Sequence, residues 1–206
     1  SGYTDLAGTG LGSAGNHPVH TVNWYQILKW CNARSEREGL TPVYSVNGTT
    51  YRTGNEVPTV SSTANGYRLP TEAQWEYAAR SGGKNQTYAG GNAIDQVAWY
   101  SSNSGNELHP IGTKTPNGLG IYDMSGNVWE WTSTIWDEKK YKYPYQNDDG
   151  RENMERNDDF LRVLRGGAFV STSNFVRCAY RLRGFPDDWS SNLGFRVVVV
   201  PTSSSY

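Results

Sequence analysis

The chain concentrates its bulky side chains in rings rather than in aliphatic runs. Its 206 residues include 8 Trp, 14 Tyr and 5 Phe beside 23 Gly. Aliphatic residues are too scattered for the near-continuous Val/Ile/Leu strands of a parallel sheet covered on both faces, which excludes a doubly wound α/β fold. Large rings under many glycine turns imply a structure dominated by loops. The length suits one domain over residues 1–206, able to bury a core without a metal or a disulfide framework.

Local signals place a few elements. From Asn23 to about Glu38, Trp24, Ile27, Leu28 and Cys31 fall at helical spacing, with Asn23 as N-cap and Gly39 as stop. A second helix begins within Leu69-Pro-Thr-Glu-Ala-Gln74, where Thr71 and Gln74 have capping-box spacing, and ends near Gly82; Trp75, Ala78 and Ala79 form its buried face. Between them, Val43 to Val46 and Thr49 to Arg52 flank Asn47-Gly48, a hairpin turn. Phe195 to Val200 reads as the one clear strand of the last third, residues 137–159 as a solvated loop, and residues 1–16 as a flexible lead-in. Within that lead-in, Gly10 to Gly15 matches GxGxxG with no strand before it and no βαβ unit after it, so it carries no function.

A net charge of -1, with both signs dispersed, leaves no footprint for nucleic acid. No stretch approaches the roughly 20 apolar residues of a membrane span, so membrane insertion by this chain is not expected and any export signal or anchor lies outside it. Cys31 and Cys178 stand far apart, outside any metal-ligand spacing, and read as two buried free thiols. His17 and His20 lack the carboxylate that completes a non-haem iron triad and read as turn and surface residues.

Four motifs occur in a fixed order: Tyr67-Arg-Leu-Pro-Thr-Glu-Ala-Gln-Trp-Glu-Tyr-Ala-Ala-Arg80, Asp123-Met-Ser-Gly-Asn-Val-Trp-Glu-Trp131, Leu164-Arg-Gly-Gly-Ala-Phe169 and Asn192-Leu-Gly-Phe-Arg196. Together they resemble the signature of the formylglycine-generating-enzyme (sulfatase-modifying factor) family. The resemblance implies an α+β domain of C-type-lectin type, with two helices flanking small antiparallel sheets and high loop content. That family oxidises a substrate cysteine with copper held by two cysteines between its Gly-Gly pair and its Arg-Cys-Ala-x-Arg segment. Here the interval from Ala168 to Arg177 contains no cysteine, and Cys178 falls on the structural Arg-Cys-Ala position. Copper(I) needs thiolate or thioether ligands, so neither copper nor oxidase activity is expected. The resemblance also implies a structural Ca²⁺ on carboxylates of Asp123 and Glu130 and carbonyls of Gly126 and Val128, since calcium asks only for oxygen ligands. The alternative for the same residues is that Asp123 caps a turn and Glu130 pairs with an arginine.

From Asn157 onward there is not one Lys, Glu, Gln or Met, although the preceding residues use all four. Inside that region a frame of Arg165 to Phe169, Arg177 to Ala179, Arg181, Pro186-Asp187 and Leu193 to Arg196 alternates with positions of miscellaneous chemistry. Those are Val170, Ser171, Thr172, Asn174, Phe175, Tyr180, Leu182, Gly184, Phe185, Asp188, Ser190 and Ser191. The pattern resembles the variable proteins of diversity-generating retroelements, which mutate adenines in Asn codons of a template. Randomising the first two bases of an AAY codon yields every one of these residues and never Lys, Glu, Gln, Met or Trp. Trp189 is therefore a fixed position or has another template codon.

The expectation is a non-catalytic binding protein whose variable region, about 163–200, engages a protein ligand through those positions and Trp189. Phe175, Tyr180, Phe185 and Trp189 would be its anchoring rings. Strand alternation leaves Phe175 and Leu182 an inward option, whereas Tyr180, Phe185 and Asp188 to Ser191 are expected outward. A monomer is expected, and the resemblance implies display at the cell surface or outside the cell. A formylglycine-generating-enzyme-like enzyme acting on a peptide and a non-binding accessory module remain the alternatives.

Overall fold

A computed structural model describes residues 2–12, 15–143, 145–146, 148–154 and 161–199. Helix α1 spans Trp24–Arg37 and α2 spans Glu72–Ala79. Each starts at a reciprocal cap: the Asn23 side chain accepts from the Gln26 N–H while Gln26 accepts from the Asn23 N–H, and Thr71 and Gln74 do the same. Two backbone donors per helix are thereby satisfied by residues three apart. Helix α2 stops at Ala79, short of Gly82, because Ser81 and Gly82 turn to φ 53° and 84°; before its cap the Pro70 carbonyl accepts the Ser133 N–H at 2.9 Å. A short helix α3, Ile94–Val97, follows.

Strands β1 (Tyr44–Val46) and β2 (Thr49–Thr50) form the expected hairpin, with Asn47 at φ 50° and Gly48 at φ 75°, the pair of positive angles a type I′ turn needs. Strand β3 (Thr59–Val60) adds to β1, and β4 (Tyr67–Arg68) pairs with β9 (Val198–Val199). The main sheet contains β5 (Trp129–Ile135), β6 (Arg162–Arg165), β7 (Leu182–Gly184) and β8 (Leu193–Phe195) in the order β7-β6-β5-β8. The β5–β8 pair is parallel, unlike the all-antiparallel expectation. The strand expected over Phe195 to Val200 is two strands in different sheets, because Arg196 breaks away to pair with Glu130; residue 200 lies outside the described residues.

All seven residues of β5 are buried, and the polar groups of its threonines are matched by distant partners, while the Trp131 indole N–H has none among the described residues. The Thr132 hydroxyl donates to the Val163 carbonyl at 3.0 Å, the Thr132 carbonyl accepts from Trp24 Nε1 at 3.0 Å, and Thr134 Oγ1 accepts from the Glu72 N–H at 2.8 Å. One core lies between α1 and the main sheet and includes Cys31; a second lies under α2 and includes Cys178. Both thiols are free and buried, as expected, and burial pushes both up, Cys178 to about 11.

Three expectations are overturned. The lead-in is packed: Asp5 receives the ammonium of Lys29, itself only 1 % exposed, at 2.6 Å and the Gly54 N–H at 3.0 Å. Segment 10–12 lies along the chain before α1, Leu11 exchanging two backbone hydrogen bonds with His20. His20 is consequently buried, not a surface residue, and burial lowers its pKa. Residues 13 and 14 lie outside the described set. In the stretch read as a solvated loop, Tyr141, Arg151 and Met154 are buried, Arg151 being held by Asp149 at 2.6 Å; residues 144, 147 and 155–159 are not described.

Candidate recognition surface and a buried acid pair

Strand β6 delivers the chain to Gly166 and Gly167, both at positive φ, and a Cβ on Gly167 would come within 2.5 Å of Val176 Cγ1. This turn lets residues 168–180 fold back as an irregular loop whose main chain is fixed from behind. The Arg165 guanidinium, fully buried, donates to the carbonyls of Cys178 at 2.6 Å and Tyr180 at 2.5 Å and pairs with Glu76. Ser104 Oγ donates to the Phe169 carbonyl at 2.7 Å, the Ser101 N–H to Ser171 at 2.9 Å, and Ser125 Oγ to Val176 at 2.8 Å. Beyond the loop, Arg181 grips Glu72 with both Nε and Nη2, while the Trp24 and Thr21 N–H groups hold the carbonyls of Pro186 and Ser190, each at 3.0 Å. None of these anchors uses a candidate side chain.

Those side chains consequently face outward at Val170, Thr172, Asn174, Phe175, Phe185, Asp188, Trp189 and Ser191. Trp189 is 66 % exposed and Phe185 55 %, exposures that a core ring never has. Tyr180, Leu182 and Ser190 are half-buried. Phe175 is outward, whereas Tyr180, expected outward, is half-buried and leans inward beneath it. Their rings meet edge to face at 4.7 Å, and Tyr180 lies 6.1 Å from Trp129.

Two candidates are not displayed. Ser171 is 8 % exposed, and its Oγ accepts the Ala168 N–H at 3.0 Å, closing the turn it belongs to. Gly184 is buried in β7, where a Cβ would meet Trp131 Cη2 at 2.8 Å. Asp188 is exposed but not idle, since its Oδ2 accepts the Phe185 N–H at 2.7 Å. Sequence reasoning missed Arg183, which is exposed and lies 5.4 Å from the Trp136 ring. Period-two alternation along β7 would have found it, with Leu182 and Gly184 turned in and Arg183 out.

The second candidate site is built around Asp123 and Glu130. Glu130 is buried and accepts from Arg196 Nε at 2.6 Å, Arg196 Nη2 at 2.7 Å and Trp75 Nε1 at 2.5 Å. Asp123, at φ 57°, takes the Gly112 N–H at 2.8 Å through Oδ2. Burial holds its carboxyl above the usual range, with Glu130 adding to the effect against Gly112 and Arg196. Both acids, Val128 and Arg196 line a cavity of about 610 Å³. Two carboxylates face one guanidinium, which leaves one negative charge uncompensated. A carboxylate offers about four acceptor sites, so Glu130 keeps one and Asp123 keeps its Oδ1. No cluster of three His, Cys, Asp or Glu side chains suited to a metal occurs among the described residues. A cation here would need main-chain oxygens as well, and the donor set of Asp123, Glu130 and the Gly126 and Val128 carbonyls suits calcium in charge and hardness. Copper is not suited, because the two thiols are buried in separate cores.

Two principal helices, small sheets and irregular backbone supporting an outward loop define an α+β protein with the C-type-lectin fold of the formylglycine-generating-enzyme type. A model of the sulfatase-modifying factor enzyme 1-like domain matches residues 5–200, and the chain belongs to that family. It is 36 % identical over 208 residues to the chaperone protein LppX of Paenibacillus barcinonensis, covering 88 % of this chain and 69 % of LppX. It is 30 % identical to the mouse formylglycine-generating enzyme over 88 % of this chain, but spans only 44 % of that enzyme. Among solved structures, Treponema denticola variable protein 1 superposes with a TM-score of 0.76 at 31 % identity, over 90 % of this chain and 72 % of the other. No helix among the described residues is long and apolar enough to cross a membrane.

Proposed function

We propose that this chain is a monomeric, non-catalytic recognition protein, displayed at the cell surface or outside the cell, which binds a protein ligand through diversified residues of segment 170–191. The observation that carries the reading is the division of labour in that segment. Arg165, Ser104, Ser125 and Glu72 hold its main chain and frame, and none of those holds depends on the exposed side chains. A surface built this way tolerates change because its shape is set elsewhere. The likeness to Treponema denticola variable protein 1 supports the same reading, and the buried thiols speak against copper-dependent oxidation of a peptide.

The test is a displayed library of this chain, randomised at Val170, Thr172, Asn174, Phe175, Phe185 and Ser191 with Trp189 retained, and selected on lysozyme as a model protein. Surface changes away from structural contacts shift stability by about 0.5 kcal/mol or less each. Most unselected clones are therefore expected to melt cooperatively near the parent. Binders should emerge that lose about 30-fold in affinity on Trp189→Ala, the roughly 2 kcal/mol of a hot spot. If most clones fail to fold, the surface is structural and the recognition reading is withdrawn.

We further propose that Asp123, Glu130 and the carbonyls of Gly126 and Val128 hold a structural Ca²⁺, which would neutralise the excess charge beneath the main sheet. At calcium a hundredfold above its Kd the gain is about 2.7 kcal/mol, or about 5–10 °C in Tm for a chain of this size. The sign with pH follows from Asp123, whose raised pKa means that without metal its contribution favours folding at low pH and is lost as pH rises through the folded value. Calcium needs the ionised form, so the Tm gain should grow as pH rises through that range and vanish in Asp123→Ala. Melting curves with calcium and with EDTA that coincide at pH 8 would refute the assignment.

A further inference from the structure

The outward-facing candidate residues of segment 170–191 number eight, whereas a stable protein–protein interface of standard size draws on about 20–30 residues from each side. A ligand seated there has to reach residues outside the variable region, and the surroundings of Trp189 indicate which ones. A hollow of about 270 Å³ separates the Trp189 ring from the N-terminal strap, lined by Gly8, Thr9, Gly10, Leu11, Thr21 and Gln26. None of these carries a formal charge. Leu11 and Trp189 are both well exposed and border it. The two sides are tied together: the Thr21 N–H holds the Ser190 carbonyl at 3.0 Å, and Leu11 is bonded in both directions to His20. Asp5, gripped by Lys29 and Gly54, anchors the strap on α1. The hollow is thus walled by Trp189 of the variable segment on one side and by an anchored strap on the other.

We propose that the strap at residues 8–11 is a constant half of the recognition surface, and that the groove between Leu11 and Trp189 receives a protruding uncharged side chain, aromatic or large aliphatic, from a folded protein ligand. This rests on the recognition reading above and deepens it. Diversity along 170–191 would select the partner, while the strap contributes the same apolar grip each time. An aromatic tip fits because an uncharged groove gives a charged group no partner for its desolvation and because rings anchor interfaces at little entropic cost.

The lysozyme binders from the library above supply the probe. Leu11→Asp and the milder Leu11→Ala would be introduced into several independent binders, with Tyr77→Asp, an exposed ring on α2, as the control. Unchanged melting curves establish that the strap stays folded. The expected result is a loss of affinity of tenfold or more for Leu11→Asp, a smaller loss for Leu11→Ala and none for Tyr77→Asp. If binders keep their affinity with Leu11→Asp yet lose it with Trp189→Ala, the strap is not part of the surface and this inference falls while the recognition reading stands. If affinity survives both changes, or no binder emerges, both are overturned.

Discussion

Glu72→Ala is expected to lower the unfolding free energy by about 3–5 kcal/mol, the range for removing one partner of a buried ion pair, and so to drop Tm by about 6–20 °C. Glu72 is 1 % exposed at the start of α2, and its carboxylate receives two nitrogens of Arg181, with the Arg165 guanidinium 3.7 Å away. Arg165 keeps Glu76 and two carbonyls if Glu72 is lost. Arg181 keeps only the faces of Trp136 at 4.5 Å and Tyr143 at 5.1 Å among the described residues. A guanidinium held between rings without a counter-ion is left partly desolvated, which is the larger share of the cost. Arg181 sits between Tyr180 and Leu182, so the same change loosens the surface: binders taken from the library should weaken along with stability. Urea melts followed by circular dichroism test the first statement, and Glu72→Gln, which keeps the shape and loses the charge, should fall between wild type and alanine. A loss under 1 kcal/mol for Glu72→Ala would show that this pair is solvated and does not brace the loop.

The elements legible in the sequence are those whose cause is local. Both helices are announced by caps three residues apart and the hairpin by Asn47-Gly48, and all three form as expected. Strand β5 is only half legible: Trp-Glu-Trp-Thr-Ser-Thr-Ile alternates like a strand with one polar face, yet Glu130, Thr132 and Thr134 on that face are buried too, because Trp75, Arg196, Val163 and Glu72 meet them from elsewhere in the chain. Arg151 and Met154 were obscured in the same way, since whether a polar stretch is solvated depends on partners that no window shows. The lead-in is polar and glycine-rich, yet the half-buried ion pair of Lys29 with Asp5 and the backbone pair of Leu11 with His20 tie it down. At the candidate surface the restricted residue set marks a segment and not a face. Ser171 and Gly184 obey the composition and still point inward, one because its hydroxyl closes a turn and the other because β7 turns it toward Trp131.

Gly184 offers the sharpest test of where display ends. Its backbone does not adopt positive φ, so any obstacle to a side chain is a matter of space. A Cβ would lie 2.8 Å from Trp131 Cη2 and 3.4 Å from Leu164 Cδ1. Trp131 is fully buried and cannot swing aside without opening the core. Overpacking of this kind costs about 1–3 kcal/mol. Gly184→Ala should fall in that range, and Gly184→Leu at or beyond its upper end, about 3 kcal/mol, with a matching fall in protease resistance. Phe185, one residue on and facing solvent, should accept the same substitutions within about 0.5 kcal/mol. A scan of both positions by proteolysis of displayed variants makes the comparison directly. If the two positions tolerate substitution equally, Trp131 yields to whatever Gly184 becomes, the frame beneath the loop is not rigid, and the separation of fixed scaffold from variable face fails with it. If position 184 accepts only glycine while 185 accepts nearly everything, the border between display and core runs between two adjacent residues, set by the alternation of a three-residue strand.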